Sequence, residues 1–321
     1  MTRFAKTLLT SSVALGALAA TSPALAQATG DTAEEGGENA IIVTARRQSE
    51  SLNEVPASVT VFTESTLRAA GIEKADDFAQ LTPGVTIVTG TAEAGDTQIN
   101  IRGINGARDA ESSVALVVDG ILKTNTAQLN QQQGTLRQIE LLKGPQGARY
   151  GRNAAAGAIV IQTARPGDSL EGRVLVSAAE DNTYTANGYI ATPVGDSAGL
   201  VVSGSYFHTD GFFFNRFLND NVVDNQEVWS IDGRFVADIG PNTELDLKAR
   251  YAKLDGASIN FNASFHLPNF AGVDPDFFED VNEHPFDYYS NIRPVNAQQT
   301  FEASALIRHE MESLTLTAWA L

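Results

Sequence analysis

The chain has no cysteine, few basic residues and no long apolar run. Without cysteine it cannot be a disulfide-stapled scaffold, and it cannot use thiolates as nucleophiles or metal ligands. A membrane helix needs about 18 consecutive apolar residues, which no segment supplies. Only 22 Lys and Arg stand against 39 Asp and Glu, giving a formal net charge of −17. Phosphate backbones repel such a chain, so we expect no nucleic-acid partner.

The amino-terminal residues have the pattern of a secretory signal peptide. Arg3 and Lys6 precede an apolar run over 8–20, and a small-residue triplet, Ala-Leu-Ala, occupies 24–26. This order of a basic, an apolar and a small-residue region is typical of a cleaved export signal. We therefore predict that residues 1–26 are a signal peptide and that the mature protein is exported.

Residues 27–52 read as a flexible arm that carries one isolated apolar segment. The arm is small, acidic and without periodicity, apart from the β-prone residues at about 40–45. Such a segment suits strand addition to the sheet edge of a partner. An edge strand of the following domain is the alternative, and propensity alone does not choose between them.

Residues 53–166 are predicted to form a compact α+β domain. Val59 to Phe62 resembles a strand, and a short helix over 63–70 is closed by Gly71. A second helix over 74–81 stops before Pro83. Further strands are predicted at 85–88, 98–102, 114–118, 139–142 and 158–163, each bounded by Gly, Asn or Asp turns.

Residues 167–321 change to long amphipathic strands, about seven in number. In 244–254, Leu245, Leu247, Ala249 and Tyr251 share one face, and the charged residues share the other. The stretches 228–239 and 300–310 repeat this pattern. Strands of about ten residues with one apolar face are typical of membrane barrels with lipid outside and a polar interior.

The connections between these strands alternate in length. Short turns at 195–197, 240–243 and 311–313 alternate with long links at 210–226 and 255–298. Short periplasmic turns opposite long extracellular loops are typical of outer-membrane barrels. A soluble β-sandwich is the alternative, but it gives no reason for loops to lengthen at one end. Plugged barrels need about 22 strands, so we expect an incomplete barrel in this chain.

Several segments together resemble the TonB-dependent receptors of Gram-negative outer membranes, in order and with similar spacing. They are Ile-Ile-Val-Thr-Ala at 41–45, Val-Pro-Ala-Ser-Val at 55–59, Leu-Thr-Pro-Gly-Val at 81–85, Ile-Arg-Gly at 101–103, Val-Val-Asp-Gly at 117–120, Ile-Glu-Leu-Leu-Lys-Gly-Pro-Gln-Gly at 139–147 and the segment 150–159. Ordered matches of this kind are far more specific than a lone glycine motif.

The resemblance implies a TonB box, a plug domain and an energy-coupled transport mechanism. The box, Ile41, Ile42, Val43, Thr44 and Ala45, would bind TonB of the inner-membrane energy-transducing complex. Ligand would bind outside, and TonB would then pull on the plug. The residues implied for the plug motif and for contact with the barrel are Arg102, Gly103, Lys143, Gly144, Pro145, Tyr150, Gly151 and Gly157. The resemblance implies no catalytic residue, resident metal or cofactor; the partners are TonB, outer-membrane lipid and an extracellular small molecule or metal chelate.

One position departs from the family pattern. Lys143 stands where the family usually has arginine, which keeps the charge but loses the two-pronged geometry. Plug arginines of the family lock against barrel glutamates, which we expect beyond Leu321. Solvated charges at Arg102 and Lys143, and ordinary turn glycines at some of the motif positions, are the alternatives.

Other functions stay open at this point. An acidic group with two histidines in the long link could hold a hard cation or act catalytically, although its spacing matches no defined loop. A passive porin is a third possibility, but it needs neither a plug nor a docking segment. For the transported ligand we expect a ferric siderophore, with cobalamin, another metal chelate and oligosaccharides as alternatives. The acidic group consists of Asp274, Asp276, Glu279, Asp280, Glu283 and Asp287, with His266 and His284.

Overall fold

The computed structural model describes residues 41–44, 50–72, 75–89, 97–105, 111–123, 129, 135–257, 287–288, 291 and 293–321. The predicted signal peptide and most of the predicted arm lie outside these ranges. The described residues from Ile41 onward belong to one compact unit. Two parts follow each other along this unit, a small α+β domain and a sheet of long antiparallel strands.

The α+β domain consists of short helices and strands from 42 to 163. A 3-10 turn also occupies Leu52–Glu54. The strands and helices, in chain order, are β1 Ile42–Val43, β2 Glu50–Ser51, β3 Ser58–Thr63, α1 Glu64–Ala69, α2 Ala75–Gln80, β4 Val85–Thr89, β5 Thr97–Ile101, β6 Ile104–Asn105, β7 Val114–Val118, β8 Ile121–Leu122, β9 Leu136–Lys143, α3 Gly147–Tyr150 and β10 Gly157–Thr163.

A five-stranded sheet in the order β3-β9-β10-β7-β8 forms the centre of this domain. β10 runs parallel to β7 and antiparallel to β9. Every residue of β7 is buried, which agrees with its unbroken apolar sequence, because a strand covered on both faces does not alternate. Side chains from several elements complete the core, including Phe78, Ile101, Leu116, Ile139, Leu141 and Ile159.

The first helix begins and ends as its sequence predicts. The Thr63 hydroxyl accepts a hydrogen bond from the amide of Thr66 at 3.4 Å, which caps the helix start. Gly71 follows the helix with φ +64°, a value that glycine adopts at little cost. None of the described helices is long and apolar enough to cross a membrane.

In the described residues after Pro166, seven long strands form one antiparallel sheet. The strands after Pro166, in chain order, are β11 Glu171–Ala179, β12 Thr183–Pro193, β13 Ala198–Thr209, β14 Phe214–Asn215, β15 Gln226–Gly240, β16 Thr243–Gly256, β17 Asp287–Tyr288, β18 Asn296–Glu310 and β19 Thr315–Ala320. The order in the long sheet is β11-β12-β13-β15-β16-β18-β19, and each strand pairs with its neighbours in antiparallel register. Strands β14 and β17 pair separately in the long links.

The two faces of the long sheet have opposite polarity, as the alternation predicts. On β16, Asp246 and Arg250 are buried, and the Lys248 ammonium contacts Asp119 of the α+β domain. Leu247 points to the other face and is 39% exposed. The register continues this outer apolar face across the sheet, because Tyr251 pairs with Phe301. The predicted facing of β16 is therefore confirmed.

Link lengths agree with the predicted alternation, with one exception. The turns over 194–197, 241–242 and 311–314 are short, and the links after β13 and β16 are long. The turn over 180–182, between β11 and β12, is short but lies beside a long link. There the Asp210 amide donates to the Asp181 carbonyl oxygen at 3.0 Å.

Candidate functional site

The segment predicted as the TonB box forms one strand of a small hairpin. Ile42 pairs with Ser51, and Val43 pairs with Glu50. The Leu52 amide donates to the Ile41 carbonyl oxygen at 2.9 Å and continues the ladder. Val43 is only 1% exposed, so its side chain lies in the protein interior.

A buried carboxylate on β9 holds the end of this hairpin. Glu140 is fully buried, and both of its carboxylate oxygens accept from the Thr44 amide at 2.9 Å. The Thr44 hydroxyl also donates to Glu140 Oε1 at 3.1 Å. The amide and the hydroxyl of Thr44 thus converge on one buried carboxyl group, which makes the contact specific as well as buried.

Two glutamines complete the polar cluster around Thr44. Gln138 Nε2 donates to the Ile42 carbonyl oxygen at 2.9 Å, and Gln162 Nε2 donates to the Thr44 hydroxyl at 2.6 Å. Both amides also donate to Glu140. Sequence reasoning missed Gln138, Glu140 and Gln162. A signal was present, because Glu140 interrupts the apolar run of β9.

This arrangement corrects the expectation of a free arm over its described part. Residues 41–44 and 50–52 are hydrogen-bonded to each other or to the five-stranded sheet of the α+β domain rather than extended into solvent. The physical reason is that Val43 buries its side chain and Glu140 satisfies the main chain of Thr44. The alternative of an edge strand comes closer to the observed hairpin. Ala45, the last predicted box residue, lies outside the described residues.

The predicted plug-motif residues Arg102 and Gly103 form the turn between β5 and β6. Both have positive φ, +53° and +82°. The Gly103 amide donates to Asn100 Oδ1 at 2.9 Å, and the Arg102 amide donates to the Gly84 carbonyl oxygen at 2.8 Å. The Arg102 side chain is exposed at this turn.

Lys143 and Gly144, at the end of β9, lie beside the turn that contains Arg102, although they are distant from it in the sequence. Lys143 Nζ donates to the Pro83 carbonyl oxygen at 2.8 Å. The Arg102 guanidinium lies 3.8 Å from the position that a Gly144 Cβ would occupy. Burial and the neighbouring Arg102 charge hold the pKa of Lys143 below its usual value. Two like charges thus lie side by side next to Pro145.

The remaining motif residues pack the interior of the domain. Tyr150 ends α3 and is buried, and Gly151 follows it with φ +76°. Gly157 begins β10, where a Cβ would lie 2.2 Å from the Leu142 carbonyl oxygen. A contact that short excludes any side chain, so Gly157 is required by close backbone packing rather than by a turn.

Asp119 joins the five-stranded sheet of the α+β domain to the long strands. The Asp119 carboxylate accepts from Arg234 Nη1 at 3.3 Å and contacts the Lys248 ammonium. The Thr163 amide and hydroxyl donate to it at 2.9 and 2.8 Å. Burial opposes ionisation of Asp119, but the two cations outweigh it, so its pKa lies well below the usual range.

The acidic group that could have formed a cation or catalytic site lies outside the described residues. Asp287 is described only through its backbone, in β17. The two histidines of that group are likewise outside the described ranges.

The chain matches a known family over the α+β domain. Residues 51–158 match the family model described as the TonB-dependent Receptor Plug Domain. The chain is 33% identical over 180 residues to the pesticin receptor of Yersinia pestis, covering 54% of this chain and 25% of that receptor. It is 29% identical over 177 residues to the vitamin B12 transporter BtuB of Vibrio vulnificus, covering 54% of this chain and 28% of that transporter.

Solved structures share the fold of both parts. The ferric yersiniabactin uptake receptor FyuA from Yersinia pestis superposes with a TM-score of 0.68 at 19% identity, over 81% of this chain and 39% of that one. The ferripyoverdine receptor of the outer membrane of Pseudomonas aeruginosa gives a TM-score of 0.61 at 18% identity, over 87% of this chain and 35% of that one. The chain thus spans only about a quarter of the length of the curated relatives named above.

Proposed function

We propose that this chain, which belongs to the TonB-dependent outer-membrane receptors by its plug domain and barrel strands, takes up a scarce ligand with energy delivered through TonB. The observation that carries the proposal is the apolar strand β1, held on the plug by contacts that a partner could replace. A strand bound mainly through its backbone is suited to exchange one neighbouring strand for another.

The packing between plug and barrel strands favours gated uptake over passive flow. A cavity of about 130 Å³ lies between α1 and the inner face of the barrel strands, lined in part by Leu67, Gly188 and Ser203. Pockets for drug-sized ligands measure about 300–1,000 Å³. This cavity is too small to pass a ligand of that size between α1 and the described strands, which supports an uptake in which the plug moves, and a passive porin would have no such step.

Partner binding at β1 requires the hairpin to open. Val43 is buried, and the Thr44 amide is occupied by Glu140. A strand of TonB can add to residues 41–45 only after these bonds are released. We infer that ligand binding outside favours this release, and that pulling on the freed segment then displaces part of the plug.

For the ligand we propose a ferric siderophore. The support comes from the relatives, among them the ferric yersiniabactin uptake receptor and the ferripyoverdine receptor. Cobalamin is the alternative that a vitamin B12 transporter among the relatives favours. Other metal chelates and oligosaccharides would use the same opening of the plug.

A disulfide across the hairpin tests the coupling role of β1. Ile42 and Ser51 are register partners next to the hydrogen-bonded pair of Ile41 and Leu52, so they form the closer, non-hydrogen-bonded type of pair. The chain has no cysteine, so Ile42→Cys with Ser51→Cys gives a single defined disulfide. We expect the oxidised receptor to bind ligand on whole cells but not to accumulate it.

The same experiment contains its controls. Reduction of the disulfide should restore accumulation, and Ile42→Cys alone should be insensitive to oxidant. Uptake that continues unchanged in the oxidised double variant would show that coupling does not require the hairpin to open.

A further inference from the structure

The two edge strands of the five-stranded sheet, called the plug sheet from here on, contact different parts of the molecule. Strand β3 follows the hairpin of β1 and β2, called the box hairpin, and the 3-10 turn. It is therefore the first strand of the plug sheet after the predicted TonB box. The β8 edge lies at the opposite side of the sheet. There the hairpin of β7 and β8, with its turn at Asp119 and Gly120, meets the barrel strands.

The turn of this hairpin directs a carboxylate into the barrel wall. Asp119 and Gly120 have φ of +49° and +85°, the left-handed pair that a two-residue hairpin turn requires. The Asp119 side chain is 6% exposed and contacts cations on two adjacent strands, Arg234 on β15 and Lys248 on β16. Both carboxylate oxygens also accept from Thr163.

Arg234 extends this contact to the end of β10. Its Nη1 donates to the carbonyl oxygens of Thr163 and Ala164 at 3.2 and 3.1 Å. Its Nε and Nη2 donate to the Asp246 carboxylate at 3.0 and 2.6 Å. The buried guanidinium of Arg234 on β15 thus joins Asp119, the end of β10 and Asp246 of β16.

A third barrel strand contacts the same hairpin. The Lys123 ammonium, just after β8, forms an ion pair with Glu302 of β18, and the Lys123 side chain is 5% exposed. A Cβ at Gly120 would lie 3.6 Å from Leu306 Cδ1, also on β18. Burial holds the pKa of Lys123 below its usual value, although Glu302 opposes that shift.

Contacts nearer the β3 edge are more exposed to solvent. Arg137 of β9 pairs with Glu171 of β11 at 2.6 Å, with side chains 25% and 47% exposed. Exposed ion pairs are screened by water and contribute little, whereas removing one partner of a buried pair leaves an uncompensated charge. Among the contacts made by the described residues, the strongest attachment between plug and barrel strands therefore lies at the β7–β8 hairpin.

We propose that the β7–β8 hairpin is the fixed attachment of the plug to the barrel wall, with Asp119 as its positioning residue. The hairpin stays on β15, β16 and β18 throughout transport, while the β3 edge and the box hairpin move. The attachment itself is independent of the proposed function, and only its persistence during transport rests on that function.

The first test removes the charge of Asp119 without changing its size. Asp119→Asn in the receptor expressed from its native gene removes the carboxylate that pairs with the Lys248 ammonium. We expect a several-fold rise in the entry of a large glycopeptide antibiotic, which an intact outer membrane excludes, and faster protease cleavage of the plug. Asp196→Asn, in the exposed turn before β13, is the matched control. We expect this variant to exclude the antibiotic and resist protease like the unmodified receptor.

A second variant separates a lost attachment from a failure to fold. Asp119→Asn combined with Lys248→Gln also removes the ammonium that has lost its paired carboxylate, and it should lower antibiotic entry relative to Asp119→Asn alone. Immunoblots of outer membranes establish that each variant is inserted. An inserted Asp119→Asn receptor that seals and resists protease like the unmodified protein overturns the attachment.

The second test asks whether the attachment persists during transport. Lys123→Cys with Glu302→Cys places two thiols in a cysteine-free chain, and a short bifunctional maleimide can bridge them. We expect the bridged receptor to accumulate ligand at the rate of the same variant without reagent. Loss of accumulation on bridging would show that the hairpin leaves the wall, and absence of bridging would show that these positions are not adjacent.

The two proposals fail in different ways. If coupling through β1 is wrong, the disulfide between positions 42 and 51 does not affect uptake, but the leak and the protease cleavage still report on Asp119. If the attachment is wrong, Asp119→Asn seals normally while the hairpin disulfide still blocks uptake.

Discussion

Single residues on the plug show where backbone packing limits the sequence. The Cβ that alanine would place at Gly157 lies 2.2 Å from the Leu142 carbonyl oxygen and 2.9 Å from the Ile101 side chain. A backbone oxygen cannot move away without disturbing the pairing of β9 with β10. Gly147, by contrast, has no neighbour within 4 Å of its Cβ position.

These two glycines give a matched pair for a stability measurement. We expect Gly157→Ala to lower the free energy of unfolding of the plug by about 1–3 kcal/mol or more, the cost of overpacking a core. Gly147→Ala should be neutral or slightly stabilising, because alanine restricts the unfolded chain. Urea-dependent protease cleavage of the plug measures both. Equal effects at the two positions would contradict the packing argument.

At the residue scale, the sequence predicted motif positions better than it predicted their partners. Lys143 and Arg102 were identified by resemblance, but their proximity depends on how β5 and β9 are placed. Glu140 and Asp119 were not identified as site residues. Each acts through groups far away in the chain, Thr44 at 96 residues and Lys248 at 129. A local pattern can mark a buried carboxylate, as Glu140 within the apolar run of β9, but it does not identify the distant group that the carboxylate contacts.

The observed helices and strands agree closely with the sequence-based predictions where the apolar periodicity was strong. The apolar alternation of β16 and the capping of α1 are confirmed in the structure. The two-residue strands β6 and β8 were missed, since they are too short to show a period. The box hairpin was missed for another reason: its stability comes from Glu140 and the plug surface, and its own sequence reads as an isolated segment.

Strand β1 is the element on which the proposed coupling to TonB depends. In the hairpin, Val43 pairs with Glu50 through the backbone, and strand addition to a partner would use the same main-chain groups. Proline removes an N–H and holds φ near −65°, so it cannot serve in either ladder. We expect Val43→Pro to reduce energy-dependent accumulation to background while extracellular ligand binding stays intact.

Alanine at the same position is the control for side-chain loss. Val43→Ala keeps the N–H and loses only apolar burial, so accumulation should be reduced less than in the proline variant. Ligand binding to whole cells and accumulation are measured side by side. Normal transport by Val43→Pro would remove β1 from the mechanism.

For the whole molecule, the opposite polarity of the two faces of the long sheet explains how this sheet and the α+β domain fit together. The outer face of the long sheet is apolar, with Val174 and Phe301 79% and 71% exposed, and the inner face carries the ion pairs that hold the plug. Such a sheet is suited to lipid on one side and a polar domain on the other. The sequence predicted this arrangement because successive side chains along a strand point to opposite faces of the sheet. The ligand could not be predicted in this way, because binding residues lie disproportionately on loops, which have no periodic pattern.

The ligand class is therefore the prediction that belongs to the whole receptor. We expect deletion of the gene to abolish growth on a ferric siderophore as sole iron source, because iron chelates too large for open diffusion need the plug to move. Growth limited by cobalamin or by an oligosaccharide should be unaffected. The unmodified gene should restore iron-limited growth and the Val43→Pro gene should not, which separates loss of transport from loss of the protein. A defect confined to cobalamin or oligosaccharide would assign the receptor to that ligand instead, with the same hairpin and the same plug attachment serving a different extracellular site.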